Sequence, residues 1–206
     1  MNISRNACRW AVIFAIGLGF LGVRAQAAPQ TYELDVDHFS IGFLVDHIGY
    51  AKVLGLFRKA KGSIVFDEDS GEVGDVWIEI DTQSVFSNHR KRDDHLRGAD
   101  FLNASEFPTM TFRAKGATSL GERRYEIKGE LELIGRRQPL TLQATWNKAA
   151  EYPFSRGILA GKPWVIGLSA RGAFNRSDFG MSYAVDNGLV GDRVDLIIEL
   201  EAIRQN

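Results

Sequence analysis

Cysteine is all but absent from this chain, and Cys8 is its only example. Cys8 precedes the first apolar run, which is the wrong place for lipid attachment. Beyond it there is no thiol, disulfide or cysteine metal site, so thiol catalysis is excluded and packing alone must hold the fold. Proline is scarce, at 5 of 206 residues, and no linker, repeat or low-complexity run divides the sequence. A strong excess of one charge is also missing, since 25 Lys and Arg face 26 Asp and Glu. Such a chain lacks the electrostatic footprint of a nucleic-acid binder and a basic face for anionic membrane surfaces. Neither a Gly-x-Ser-x-Gly elbow nor a phosphate-cradling loop occurs.

The one long apolar run is at the N-terminus. Arg5 and Arg9 precede uncharged residues from Trp10 to Val23, and Ala25-Gln26-Ala27 follows with small residues where a signal peptidase reads. This pattern predicts a secretory signal peptide over residues 1–27, cleaved after Ala27, and an exported mature protein. A transmembrane anchor is the competing reading, but the run falls short of the ~20 residues that span a bilayer. Removing Arg5, Arg9 and Arg24 leaves 22 basic against 26 acidic side chains in residues 28–206, a net charge of −4. That remainder reads as one domain, long enough to bury a core without staples.

From residue 28 onward the pattern is mostly strands. Segments rich in Val, Ile, Phe, Tyr, Trp and Thr recur between Gly, Asn, Asp and Pro. Strands are predicted over 32–46, 51–61, 62–67, 74–81, 109–117, 124–134, 138–148, 164–175 and 193–204. Several end in turn chemistry, as at Asp69-Ser70-Gly71-Glu72 and Ile134-Gly135-Arg136. Many short antiparallel strands make a sandwich or a barrel. Residues 87–97 differ: they are polar and lack alternation, which predicts a short helix capped by Ser87 or Asn88. Arg90 and Asp94 would pair on it at i,i+4, and Leu96 and Phe101 would turn to the core.

The alternation says which residues share a face. Phe39, Ile41, Phe43 and Val45 lie on one side of the first strand, opposite Ser40, Gly42, Leu44 and Asp46. Val53, Gly55 and Phe57, then Gly62, Ile64 and Phe66, then Val76, Ile78 and Ile80 repeat the theme. Gly55 and Gly62 interrupt bulky inner faces, which marks a bend or a close approach of ligand. Any half-buried strand shows apolar alternation. An ~8-stranded barrel is either filled by its own side chains or holds one small ligand, and composition does not separate the two. The histidines give no zinc site. His89 and His95 are about 600° apart on a helix of ~3.6 residues per turn. His38 and His47, at odd spacing, fall on opposite faces of one continuous strand.

The ordered motifs resemble a known family. Tyr32-x-Leu34-Asp35-x-x-His38-x-x-Ile41-x-Phe43 opens the set, followed by Val45-x-His47-x-Gly49 and Val53-x-Gly55-x-Phe57. Arg92-Asp93-x-His95-Leu96-Arg97-x-x-Asp100-Phe101 and Phe107-Pro108-x-Met110-x-Phe112 come next. Asn175-Arg176-Ser177-Asp178-Phe179-Gly180-Met181 and Val190-Gly191-Asp192-x-Val194 close it. Together they resemble the YceI family of periplasmic lipid-binding proteins across nearly the whole chain after the leader.

The resemblance implies an all-β fold: an extended antiparallel eight-stranded, lipocalin-like β-barrel with a short helix packed against it. It implies a non-catalytic protein that needs no cofactor and holds an isoprenoid quinone, polyprenyl or acyl lipid. Homodimers are also implied, with transient exchange of lipid with a membrane or a membrane protein. Leu54 and Leu56 depart from the family's more polar choice and should face outward, in a subunit contact. The tail-lining candidates are Phe39, Ile41, Phe43, Val45, Phe57, Ile64, Phe66, Ile78, Ile80, Leu96, Phe101 and Phe112. The head-group candidates are His47, Arg92, His95, Arg97 and Arg176. For the latter a structural role competes, in which Arg92, Asp93, Arg176 and Asp178 pair to pin the helix and a loop to the barrel. Two other readings stand beside the carrier. One is a structural or stress-related barrel with a filled interior. The other is an outer-membrane barrel, disfavoured by charged outer positions such as Asp46, Lys59, Lys61, Glu79 and Asp81.

Overall fold

The computed structural model describes residues 28–155, 157 and 161–205, so the leader expected over 1–27 lies outside the described residues. The strands are β1 (Gln30–His47), β2 (Ala51–Phe57), β3 (Ala60–Phe66), β4 (Val73–Asp81) and the short β5 (Val85–Phe86). After helix α1 (Arg90–Arg97) come β6 (Thr109–Ala114), β7 (Thr118–Gly121), β8 (Arg124–Leu133), β9 (Arg136–Glu151), β10 (Trp164–Asn175) and β11 (Val190–Arg204).

β2 and β3 form one bent stave, with β2 laddered to the C-terminal half of β1 and β3 to its N-terminal half. The path runs on through β4, β6, β8, β9, β10 and β11, all antiparallel. β11 then pairs back onto β1, with Tyr32 opposite Arg204 and Val45 opposite Val194. The result is a closed antiparallel barrel of eight staves, with β5 extending the edge of β2 and β7 that of β8. Closure leaves no long unpaired edge to template aggregation. The sequence reading is short at both ends of the ninth strand and misses β5 and β7.

The wall is tight where glycines face bulky neighbours. A Cβ on Gly55 would fall 2.1 Å from Cζ of Phe43, whose ring lies over it. One on Gly62 would fall 2.4 Å from the backbone oxygen of Trp77. These glycines therefore mark close packing within the wall rather than approach of a ligand.

Side chains on the outer wall pair charge with charge. Lys61 reaches Glu79 at 2.9 Å, Arg137 reaches Glu132 at 3.0 Å, and Lys52 meets Asp195. Such charges stand where a lipid-facing wall needs an apolar band. Among the described residues no helix is long and apolar enough to cross a membrane.

Helix α1 starts one residue later than its expected cap. His89 is the N-cap, its Nδ1 accepting from the Arg92 amide at 3.3 Å. Ser87 is occupied elsewhere: its amide and hydroxyl donate to Asp93 Oδ1 at 2.7 and 2.5 Å. Asn88 has a φ of 61°, outside the extended region a cap adopts. Arg90 and Asp94 do meet, at 4.0 Å.

Candidate functional site

The two ends of the barrel differ. At one end β1 begins, β3 turns into β4, and β10 begins. There the connection over 67–72 is acidic, with Asp67, Glu68, Asp69 and Glu72. At the other end lie the β1–β2 turn, α1 with its flanking loops, and the loop from Gly180 to Leu189. Between them the inner faces enclose a cavity of about 510 Å³. This is within the ~300–1,000 Å³ range of small-molecule sites. On β8 it is lined from Tyr125 to Leu133. At ~3.3 Å per residue and a strand tilt of about 40°, that is roughly 20 Å along the barrel axis.

The lining is overwhelmingly apolar. Exposed lining residues are His47, Ile48, His95, Tyr183 and Leu189, all at the α1 end. The cavity therefore opens there and is shut at the acidic end, where Phe66 packs edge-on to Tyr125 and Trp146 at 6.5 and 4.9 Å between ring centres. Burial pushes the Tyr125 hydroxyl pKa up, so it stays a neutral phenol at physiological pH. The indole Nε1 of Trp146 is buried without a hydrogen-bond partner.

The sequence-derived candidates assemble around this space. Ile41, Phe43, Val45, Phe57, Ile64, Phe66, Ile78, Ile80, Leu96, Phe101 and Phe112 line it, as do His47, Arg92, His95 and Arg176. Two candidates do not. Phe39 packs against the core where the β1–β11 ladder is irregular, between Leu34 and Phe39. Arg97 points away and donates to Gln83 O at 2.9 Å, Val85 O at 2.8 Å and Asp94 Oδ1 at 3.1 Å, fastening α1 to the wall.

The polar candidates at the open end are largely committed to the protein. Arg176 is 2% exposed and donates to the carbonyls of Gly191, Met181, Tyr183 and Val190 at 2.7–2.9 Å. Its guanidinium also sits 5.6 Å from the centre of the Phe101 ring. Burial pulls the Arg176 pKa down from the usual arginine range, and the charge of Asp192 opposes that shift. Arg92 Nε donates to Ser87 Oγ at 2.7 Å. His95 Nε2 lies 2.9 Å from Asp100, and its ring stacks edge-on against Phe101 and Tyr183 at 4.9 and 5.1 Å.

The expected pairing among Arg92, Asp93, Arg176 and Asp178 does not form among the described residues. Pinning is achieved instead through backbone carbonyls and Ser87, because those acceptors lie within reach of the buried guanidinium groups. His38 and His47 do not come together: His47 lines the cavity and His38 lies outside its lining, with irregularities in the β1–β11 ladder between them. His38 instead meets Asp35 at 2.9 Å and Glu201 at 4.0 Å, and these three groups bring potential ligand atoms within 4.8 Å of one another.

The far wall escaped sequence reasoning. Leu140, Leu142, Ala144 and Trp146 on β9, Ile166, Leu168 and Ala170 on β10, and Leu196, Ile198 and Leu200 on β11 all line the cavity. Each set recurs at every second residue, the same signal that marked the first four strands.

Known proteins share this arrangement. The family model of the YceI-like domain matches residues 32–202. A UPF0312 protein of Azotobacter vinelandii is 35% identical over 192 residues, covering 93% of this chain and 95% of its own. The crystal structure of the Campylobacter jejuni YCEI protein superposes with a TM-score of 0.68 at 28% identity, over 78% of this chain and 90% of its own. A polyisoprenoid binding domain from Saccharophagus degradans has the same fold, with a TM-score of 0.62 at 11% identity, over 85% of this chain and 99% of its own. With the match spanning nearly every stave of the barrel, this chain belongs to the family of YceI-like domains.

Proposed function

We propose that the protein binds and carries an apolar isoprenoid-type or acyl lipid in its barrel, without catalysing a reaction. The observation that carries this is the long apolar cavity, shut at one end and open at the other. A prenyl or acyl tail has nothing to hydrogen-bond and needs a dry channel of this kind. Its burial is worth ~0.8 kcal/mol per CH₂ against water. Against a membrane, which is equally apolar, that gain largely cancels, so shape and the polar groups at the open end set selectivity. The polyisoprenoid-binding domain with this fold supports the ligand class. The N-terminal leader pattern supports a periplasmic site of action. Native mass spectrometry of protein purified from its own periplasm, followed by solvent extraction, is expected to release a prenylated or acyl lipid. A bare mass, with no uptake of added quinones or polyprenols, would favour a filled, structural barrel instead.

A second copy of the chain is the proposed protein partner. Leu54 is 53% exposed on the outer face of β2. It stands opposite Leu44, with the half-buried Leu56 paired to Phe86 beside it. Covering this strip would remove apolar area from water. Sedimentation should show a dimer, and Leu54→Glu should shift it to monomer. A wild-type protein that sediments as a monomer refutes the contact.

A further inference from the structure

We propose that the open end of the barrel docks on the surface of a lipid bilayer through an apolar rim formed by the β1–β2 turn and the loop that precedes β11. This rests on the lipid-binding reading and adds the source from which the ligand is taken.

The rim has four apolar side chains on show. Ile48 is 45% exposed, Tyr50 89%, Tyr183 46% and Leu189 45%. The two loops are joined, since the Ile48 amide donates to the Leu189 carbonyl at 3.2 Å. Ile48, Tyr183 and Leu189 also line the cavity, so the outer apolar surface runs without a break into the interior. Whatever covers the rim must therefore be a phase that the ligand itself can cross. A folded protein partner would cap the channel instead of feeding it.

The β1–β2 turn is built at a conformational cost. Tyr50 N donates to His47 O at 3.1 Å, and Ile48 and Gly49 have φ of 56° and 71°. This is the hairpin turn that favours Asn-Gly, and a β-branched residue is poorly suited to its first central position. Ile-Gly recurs at the β8–β9 turn, where Ile134 has φ of 51°. There the side chain packs against the core, which offsets the strain. Ile48 is only partly covered within this molecule, at 45% exposed, so less of its strain is offset from within than at Ile134.

The two loops of the rim carry little charge. Residues 47–51 carry no Asp, Glu, Lys or Arg, and residues 179–191 carry only Asp186, in a chain that is 25% charged. Seating these two loops in the headgroup zone thus dehydrates a single formal charge of their own, Asp186. Tyrosines suit that zone because an apolar ring and a polar hydroxyl are both satisfied there. The opposite end, with Asp67, Glu68, Asp69 and Glu72 on one turn, cannot dock in this way.

The test follows the extraction of a fluorescent polyprenol from phosphatidylcholine vesicles by the purified protein, with uptake of the same probe from a cyclodextrin complex as the control. The initial extraction rate should rise with vesicle concentration and change little with salt. Tyr50→Asp should slow extraction about tenfold. It should leave uptake from cyclodextrin unchanged, because Tyr50 lies outside the cavity lining. A rate independent of vesicle concentration, or a Tyr50→Asp variant as fast as the wild type, overturns the docking. Loss of a sedimenting dimer in Tyr50→Asp with unaltered vesicle rates assigns the rim to a second copy and overturns it too. Failure of the wild type to take up probe from cyclodextrin is a separate result, and it removes the lipid-binding reading itself.

Discussion

Alanine in place of Arg176 should lower the unfolding free energy by about 4 kcal/mol, the sum of four hydrogen bonds to carbonyls at ~1 kcal/mol each. The acceptors are on Gly191, Met181, Tyr183 and Val190, so one side chain holds both ends of the loop that frames the open end. No water replaces a guanidinium that is 2% exposed without reordering that loop. At ~2–4 °C per kcal/mol for a domain of this size, the melting temperature should fall by roughly 8–16 °C. Lysine at this position should recover less than half of the loss, because an ammonium cannot hold a planar fork of carbonyls. Urea denaturation of the three proteins reads the difference. A loss under about 1 kcal/mol would mean that the loop is held by its own backbone bonds and not by this residue.

Tryptophan in place of Ala170 should abolish lipid uptake while leaving the barrel folded. Ala170 stands opposite Ala144 on β9 and Ile198 on β11, and all three line the cavity. The two alanines leave small side chains side by side on this part of the wall. An indole there brings ~150–250 Å² of new side-chain surface into the space a tail would use. Displacing about four methylenes, at ~0.8 kcal/mol each, corresponds to roughly a two-hundredfold loss of affinity from water. Titration with a fluorescent polyprenol measures it, and circular dichroism checks the fold. A variant that binds as well as the wild type would show that the ligand does not occupy the mid-barrel.

The alternation of Ile41, Phe43 and Val45, and of Ile64, Phe66, Ile78 and Ile80, made the inner wall of the first four strands legible before any coordinates. The same period runs through Leu140, Leu142 and Ala144 and through Leu196, Ile198 and Leu200, and was read there only as strand. Period two states which residues share a face, and says nothing of what lies across from that face. Whether eight strands close on a void or on their own side chains depends on the closure geometry and on where alanines fall. Phe39 shows a second limit. Its parity with Ile41 is correct, yet it packs against the core beyond the end of the lining, next to an irregularity in the ladder between Leu34 and Phe39. Arg176 shows a third, since its partners are backbone carbonyls, which carry no residue identity to be read. Ser87 shows the last: a good capping residue by type is engaged by Asp93 and Arg92, and His89 caps instead.

The pairing of β1 with β11 sets an order of events in time. Tyr32 pairs with Arg204 on the neighbouring strand, and β1 meets β11 along most of its length. The seam is not complete until β11 is free to pair. Until then β1 has ladder partners on one side only, and β10 waits for β11. Loop closure over nearly the whole chain makes this the slowest kind of contact to form. The molecule is therefore exposed to strand-to-strand association between neighbours for as long as β11 has not docked.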